Sequence, residues 1–211
     1  MTNLKDLAET VAKPWDNSPY YENAEKLIHV FWADNSLFRG LFEKLDLTSV
    51  VELACGHGRH SEIVQPRAGK LTLVDVFSDN LEVCKKRLAS ADNVDYIHGD
   101  GYSYRPVEDG SQTAIFCYDA MVHFAPELVE SYLKDTARIL APGGMALYHH
   151  SNYDAPTDQH YGLNPSARNK MTRKMFNAFA KAAALDIVEA SELRWAGDDD
   201  LDGVTLLRRG A

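Results

Sequence analysis

The most constraining feature of this chain is a regular alternation of short apolar runs with helical patterns, which begins near residue 49. The runs predict strands at about residues 49–54, 70–75, 94–98, 112–118 and 145–150. Two further strands, about 186–194 and 203–209, are predicted on either side of the acidic loop Gly197–Asp202. This alternation favours an α/β fold, with a mostly parallel sheet covered by helices on both faces and an antiparallel hairpin at the end.

The turn after the first predicted strand has the residues of a nucleotide pocket. The strand contains Glu52 near its end, Gly56 and Gly58 follow in the turn, and a helix with a polar start is predicted at about residues 58–66. Glycines let the backbone approach a ligand closely, and the free N–H groups of a new helix face that ligand. The second strand ends at Asp75, where a carboxylate is well placed to bind the paired hydroxyls of a ribose.

Polar side chains gather where the predicted strands end. Ligands of doubly wound sheets bind at the carboxyl ends of the strands. Five polar residues fall at those ends, namely Glu52, Asp75, Asp100, Tyr118 and His150. We therefore expect the ligand site at this rim of the sheet.

Composition excludes several classes of protein. A chain of 211 residues suits one domain with a full core. The net charge of −9 argues against a nucleic-acid-binding surface, because such surfaces concentrate Lys and Arg. No apolar run approaches the roughly 20 residues that span a bilayer, and the first residues lack the pattern of a signal peptide. The three scattered cysteines indicate reduced thiols and a cytoplasmic protein.

A metal site is not predicted. Cys55, His57 and His60 are close in sequence, but no second pair of ligands with matching spacing accompanies them.

The N-terminal 45 residues lack the alternation of strands and helices that marks the rest of the chain. Residues 1–21 are predicted to be irregular, because Pro14 and Pro19 interrupt any helix. A helical pattern starts at Glu22, with a break near Asn35. Residues 1–45 are interpreted as a helical extension that covers the pocket mouth, and residues 46–211 as the nucleotide-binding domain.

Several motifs together resemble those of the class I S-adenosylmethionine-dependent methyltransferases. Glu52–Gly58 is similar to motif I, with Ala54 where the first glycine is common, and Phe116–Phe124 is similar to motif IV. Arg138–Gly144 resembles the end of the helix that follows motif IV. The resemblance covers about residues 45–209. It implies a Rossmann-like, doubly wound seven-stranded sheet of order 3-2-1-4-5-7-6 with the last strand antiparallel.

The resemblance implies S-adenosyl-L-methionine as the cofactor. Asp75 then matches the residue that binds the ribose hydroxyls, and Asp100 the carboxylate near the adenine amino group. The full set of predicted cofactor-binding residues is Glu52, Ala54, Gly56, Gly58, Asp75, Val76, Asp100, Gly101 and Tyr118.

The predicted reaction is methyl transfer to a small-molecule acceptor, with O-methylation preferred to N-methylation. A hydroxyl acceptor must lose its proton, and histidine is the usual base. His123 follows the fourth strand and His150 ends the fifth, so both are predicted to be catalytic, with Asp119 as an orienting group or base. Strand alternation sends His149 and His150 to opposite faces. The polar loop of about residues 151–170 is a candidate acceptor contact.

Other interpretations of the same residues stay open. An NAD(P)-dependent oxidoreductase is the first alternative, although Glu52 would repel a pyrophosphate. A catalytically silent nucleotide-binding module is the second. Asp100 could instead close a turn, and either predicted catalytic histidine could be structural. Tyr20 and Tyr21 could be core aromatics or a cover over the sulfonium, and a homodimer is compatible with the sequence.

Overall fold

The computed structural model describes residues 3–156, 160–195 and 197–210. One seven-stranded sheet runs through it in the order β3-β2-β1-β4-β5-β7-β6, which confirms the predicted topology. The strands are β1 Ser49–Leu53, β2 Lys70–Asp75, β3 Val94–His98, β4 Gln112–Cys117, β5 Leu140–Ser151, β6 Leu185–Trp195 and β7 Asp198–Arg209. The first five strands pair in parallel, and β7 runs antiparallel to both β5 and β6.

The helices lie around this sheet. They are α1 Leu4–Ala12, α2 Tyr20–Glu25, α3 Ile28–Phe31, α4 Leu37–Phe42, α5 Ser61–Val64, α6 Ser78–Arg87, α7 Pro126–Ile139 and α8 Arg173–Ala182. Pro126 occupies the first turn of α7, where its missing N–H costs nothing. The Thr172 side chain accepts a hydrogen bond from the Met175 amide and caps α8. Among the described residues, no helix is both long and apolar enough to cross a bilayer.

Two hydrophobic clusters cover the two faces of the sheet. Successive residues of a strand point to opposite faces, so Val50 packs in one cluster and Val51 in the other. Helices α4 and α6 close the first cluster, and α7 and α8 close the second. Residues 114–117 of β4 are fully buried because they lie between both layers.

The first 21 residues correct the sequence prediction. They are not irregular throughout, because Leu4–Ala12 forms α1 with Asn3 as its cap. Ala8 and Val11 on one side of α1 are buried against Ala125 and Leu128 at the start of α7. Pro14 falls in the single 3-10 turn that follows the helix. Helix α1 is therefore docked on the domain.

Three boundaries also differ from the prediction. The helix expected at about 58–66 is only α5, since Pro66 lies in a 3-10 turn directly after it. Strand β5 begins at Leu140 rather than near residue 145, because Leu140 already pairs with Gln112. The predicted loop Gly197–Asp202 is mostly strand, since the first residues of β7 pair with the end of β6. Residue 196, and residues 157–159 of the predicted loop 151–170, lie outside the described residues.

Candidate active site

A cavity lies at the carboxyl ends of β1, β2 and β4 and is closed on its other side by the N-terminal segment. This is the rim at which the sequence predicts the ligand. The predicted site residues that line it are Ala54, Gly56, Asp75, Val76, Gly101, Tyr118, Asp119 and His123. The other four, Glu52, Gly58, Asp100 and His150, are not among its lining residues.

The turn after β1 has the backbone that a close ligand approach requires. Ala54 and Gly56 both have left-handed backbone angles, with φ of 55° and 53°. A Cβ on Gly56 would lie 2.9 Å from the Tyr21 ring, so only glycine fits there. The Ala54 amide is fixed by a 2.8 Å hydrogen bond to the Val74 carbonyl. The turn thus presents bare backbone towards the cavity.

Asp75 is held firmly at the end of β2. Its Oδ2 accepts a 2.9 Å hydrogen bond from the Gly56 amide, and its Oδ1 accepts from the Phe77 amide and Asn80 Nδ2. Burial raises the pKa of this carboxyl, and the two amide donors and Asn80 oppose that rise. A carboxylate has about four acceptor positions, so these three bonds leave capacity for one ligand hydroxyl.

Glu52 was predicted to bind the cofactor, but it does not line the cavity. It lies beneath the turn, buried, where its Oε2 accepts a 2.5 Å hydrogen bond from the Ser61 hydroxyl. Burial raises its pKa to about 8. Gly58 also lies away from the cavity lining, and a Cβ there would be 3.0 Å from Cys84 Sγ. Both residues support the turn from behind.

Asp100 forms the turn that was the alternative interpretation of this residue. Its carboxylate is exposed and accepts hydrogen bonds from the Tyr102 and Ser103 amides at 2.9 and 2.7 Å. Its neighbour Gly101 does line the cavity, with φ of 85°. A Cβ on Gly101 would meet the Ala8 side chain at 2.7 Å, so α1 packs directly on this glycine.

His123 lies at the cavity wall with a defined tautomer. Its Nδ1 is 2.9 Å from the Ala167 carbonyl, so Nδ1–H donates there and Nε2 keeps the lone pair. The Trp15 ring packs on the imidazole with centroids 4.2 Å apart. Burial lowers the pKa of His123 to about 4, so the ring is neutral at neutral pH.

Asp119 lies at the end of β4 in a left-handed conformation, with φ of 60°. Its Oδ2 accepts hydrogen bonds from the Tyr20 hydroxyl and, at 2.7 Å, from Arg59 Nη2. The Asp119 amide donates to His149 Nδ1 at 3.1 Å. The carboxylate is therefore already engaged as half of a buried ion pair.

His150 was predicted to be catalytic, but it does not line the cavity. It is fully buried, with its ring stacked on Phe176 at 3.8 Å and its Nε2 2.9 Å from Thr205 Oγ1. His149 points the other way, as strand alternation predicts, and its Nε2 lies 2.8 Å from Asp202 Oδ2. Neither histidine lines the cavity. The ring of His150 belongs to the packing between β5 and α8.

The sequence interpretation missed several residues of the site. Arg59 follows the glycine turn and lines the cavity, as do residues of α1 and the segment after it: Ala8, Val11, Ala12, Trp15 and Glu25. Tyr20 and Tyr21, for which the sequence left a core role and a covering role open, also line the cavity. The Tyr21 ring stacks on His57 at 4.5 Å. The spacing of Leu4, Leu7, Ala8 and Val11 is helical and could have revealed α1.

The described part of the chain contains no grouping of three or more metal-ligating side chains. Cys55 instead lies 3.8 Å from Cys84, sulfur to sulfur, and both thiols are free and buried.

Comparisons with known proteins point to one family. Residues 50–144 match the family model described as a methyltransferase domain. A curated relative, demethylmenaquinone methyltransferase of Staphylococcus aureus (strain JH9), is 36% identical over 107 residues, which cover 47% of this chain and 42% of that protein. The match thus spans less than half the length of the curated relative.

Solved structures share the fold at low sequence identity. An S-adenosylmethionine-dependent methyltransferase from Clostridium acetobutylicum ATCC 824 superposes with a TM-score of 0.69 at 14% identity, covering 92% of this chain and 100% of that one. The [4+2]-cyclase SpnF superposes with a TM-score of 0.68 at 13% identity, covering 83% of this chain and 80% of that one. At these identities the likeness shows the fold alone.

Proposed function

We propose that this chain, which belongs to the class I family of S-adenosylmethionine-dependent methyltransferases, transfers the methyl group of that cofactor to a small-molecule acceptor. The observation that carries the proposal is one cavity that joins the buried carboxylate of Asp75 to the imidazole of His123. Ala54 and Gly56 of the glycine turn line the same cavity. A nucleoside-binding group and a candidate base therefore face the same enclosed space.

The residues present fit the cofactor. Asp75 keeps acceptor capacity for a ribose hydroxyl. At Gly56 the backbone is open to a ligand only because the residue has no Cβ, which would collide with the Tyr21 ring. Val76 and Gly101 offer a mostly apolar surface that suits an adenine ring. Bound S-adenosylmethionine would supply a methyl group that its sulfonium already activates. The protein then mainly has to align the acceptor, and alignment is worth roughly 7–11 kcal/mol in favourable cases.

His123 is our candidate base. Its Nε2 is unprotonated at neutral pH and can accept a proton from an acceptor hydroxyl. A pKa of about 4 makes this imidazole a weak base, so its unprotonated Nε2 would mainly accept a hydrogen bond from the acceptor and orient it. A hydroxyl that is already acidic, such as that of a phenol or an enol, needs no stronger base, which is why we prefer O-methylation to N-methylation. Asp119 orients this end of the cavity through its contacts with Arg59 and Tyr20.

The N-terminal residues 1–45 act as the cover of the site in this proposal. Trp15 packs on the base, and Tyr21 packs over the glycine turn. Such a cover excludes water, which strengthens electrostatic interactions within the cavity. The net charge of −9 supports a small-molecule acceptor rather than a nucleic acid, and three buried free thiols support a cytoplasmic location.

Calorimetry of S-adenosylhomocysteine binding tests the cofactor half of the proposal. We expect Asp75→Ala to weaken binding by about 10-fold or more, because a hydrogen bond to a charged group is worth about 1.5–3 kcal/mol. Asp79→Ala is the matched control, since Asp79 is exposed on the same segment and does not line the cavity. Equal affinities of both variants for the ligand would remove Asp75 from the site.

A transfer assay with radiolabelled donor tests the acceptor half. The panel contains phenols and enols, matched amines, and a demethylated quinone, which the name of the curated relative suggests. We expect transfer to acidic hydroxyls and its loss in His123→Ala. Tight cofactor binding without transfer to any acceptor would favour the silent module. That outcome needs a direct test because a solved protein of this fold is described as a [4+2]-cyclase. Enhanced NADH fluorescence without S-adenosylhomocysteine binding would favour the oxidoreductase.

A further inference from the structure

We propose that Asp202 is a positioning residue that holds His123 and Asp119 at the cavity wall through two chains of hydrogen bonds. The inference rests on the function proposed above, which gives both of these side chains a role beside the acceptor. Asp202 does not itself line the cavity, so any effect that it has on the reaction must pass through residues that do.

Asp202 lies in β7, and its carboxylate is completely buried. Its Oδ1 accepts a 2.7 Å hydrogen bond from Arg168 Nε, and its Oδ2 accepts from Arg168 Nη2 at 2.5 Å and from His149 Nε2 at 2.8 Å. Burial raises the pKa of this carboxyl, but the hydrogen bonds from His149 and Arg168 outweigh burial and hold the pKa below its ordinary value. Asp202 is therefore an anion from which two chains of contacts start.

The first chain runs through His149 to Asp119. The Asp119 amide can only donate, so His149 Nδ1 holds a lone pair and the ring proton lies on Nε2, which donates to Asp202. A positively charged ring would carry N–H groups on both nitrogens and could not accept from the amide. Asp202 thus selects the form of His149 that binds the Asp119 amide. That bond supports the left-handed backbone of Asp119, which is unfavourable for a residue with a Cβ.

The second chain runs through Arg168 to His123. Arg168 Nη1 donates to the Ser166 carbonyl at 3.0 Å, which ties the preceding residues to the guanidinium that Asp202 holds. Ser166 and Ala167 both have left-handed backbones, with φ of 47° and 54°. The Ala167 carbonyl accepts the hydrogen bond from His123 Nδ1–H. The ion pair therefore stabilises an unfavourable turn at the carbonyl that fixes the His123 ring.

The distribution of backbone strain supports a role in function. Among the described residues, seven other than glycine have a left-handed backbone, and three of these lie on the two chains, namely Asp119, Ser166 and Ala167. Such conformations collect at functional sites, where the surrounding contacts hold them in place. A buried ion pair also adds little net stability compared with apolar residues of similar size. Fixed geometry at the ends of both chains accounts for a buried ion pair at this place.

The test uses a double variant and a matched double control. The main variant is Asp202→Asn with Arg168→Met, since the loss of both charges leaves no buried ion without a partner. The control is Asp135→Asn with Arg138→Met. Asp135 also accepts from Nε and Nη2 of its arginine, at 2.5 and 3.0 Å, and neither residue of this pair lines the cavity.

Nuclear magnetic resonance of the histidine ring nitrogens measures the positioning without an acceptor. In the wild type we expect only the Nδ1–H tautomer of His123, with a pKa of about 4. In the main variant the Ala167 carbonyl is no longer held, so both tautomers should appear and the pKa should rise by about one pH unit or more towards its ordinary value. Arg168 lowers this pKa, whereas Asp202 and the retained Asp119 raise it. The two charges that the variant removes therefore oppose each other, and a rise reports a less buried ring.

The control should keep the wild-type tautomer and pKa of His123, even if both double variants lose similar stability in urea. Unchanged His123 signals in the main variant, or the same change in both double variants, would overturn the proposal.

Two further measurements separate this inference from the proposed function. With an acceptor from the panel above, the main variant should lower kcat by about 10- to 100-fold, because a displaced orienting group costs alignment. Its affinity for S-adenosylhomocysteine should stay within about 2-fold of the wild type, since Asp75 lies on neither chain. An unchanged kcat beside altered His123 signals would contradict the role of this positioning in the reaction. A wild-type protein that does not bind S-adenosylhomocysteine would overturn the proposed function, and the histidine signals would still decide whether Asp202 positions His123.

Discussion

The packing of α1 on the cavity predicts a specific effect of one added methyl group. Gly101→Ala places a Cβ 2.7 Å from the Cβ of Ala8 in α1. Gly143→Ala is the matched control, because Gly143 has nearly the same φ, +78° against +85°, and nothing lies within 4 Å of its added Cβ. The two variants share a backbone penalty and differ in contact with α1.

The expected magnitudes follow from these two situations. A left-handed backbone costs a residue other than glycine about 1–2 kcal/mol, which applies to both variants. Overpacking adds about 1–3 kcal/mol at Gly101 alone. We therefore expect Gly101→Ala to lower the free energy of unfolding by about 1–3 kcal/mol more than Gly143→Ala.

Urea unfolding of both variants measures this difference. A second substitution, Ala8→Gly, removes the methyl group that the new Cβ meets, at a helix-propensity cost of about 1 kcal/mol. In the double variant Gly101→Ala with Ala8→Gly, the loss should be smaller than the sum of the two single losses. Equal destabilisation at Gly101 and Gly143, with additive effects in the double variant, would refute the docking of α1 on this glycine.

Three further outcomes are expected. Because burial raises the pKa of Glu52 to about 8, the folded state holds a proton that the unfolded state has released above the ordinary carboxyl pKa of 4.5. The free energy of unfolding should therefore fall as the pH rises from 4.5 to about 8, by up to about 1.4 kcal/mol per pH unit. The urea midpoint of Glu52→Gln should depend less on pH than that of the wild type. Arg168→Leu should destabilise by about 3–5 kcal/mol, since it leaves buried Asp202 without its cation, whereas Arg67→Leu at an exposed pair should change the unfolding free energy by about 0–1 kcal/mol. His150→Gln should lower the melting temperature and leave the affinity for S-adenosylhomocysteine unchanged. If the variant instead keeps its stability and loses methyl transfer, His150 would be catalytic after all.

The sheet and its helices were predictable because their signals are local. The apolar run of β4 and the cap of α8 at Thr172 both follow from residues within each element. The strand order came from the family resemblance rather than from these local patterns. In the N-terminal segment, Pro14 and Pro19 led to a prediction of irregular structure despite the helical spacing of the apolar residues before them. Pro14 in fact follows α1 and does not interrupt it.

The site was only partly predictable because side-chain surroundings depend on distant segments. Alternation correctly separates His149 from His150, but which face meets the cavity depends on where α8 and β7 pack. From the sequence, Glu52 is a candidate ligand-binding residue, yet its carboxyl group lies beneath the turn and accepts a hydrogen bond from the Ser61 hydroxyl. Arg59 lies next to the recognised motif, but its packing against the Phe31 and Tyr20 rings of the N-terminal segment is a contact between distant parts of the sequence.

The wall that α1 and Trp15 contribute lies outside residues 50–144, the part that matches the family model. Chimeras can therefore exchange the two parts separately. A graft of residues 1–45 from another protein of this fold would change the wall formed by α1 and Trp15 while Asp75 and its amide donors stay in place. Under the function proposed above, acceptor preference would be engineered in the amino-terminal segment, and the proposed nucleoside-binding residues would stay unchanged.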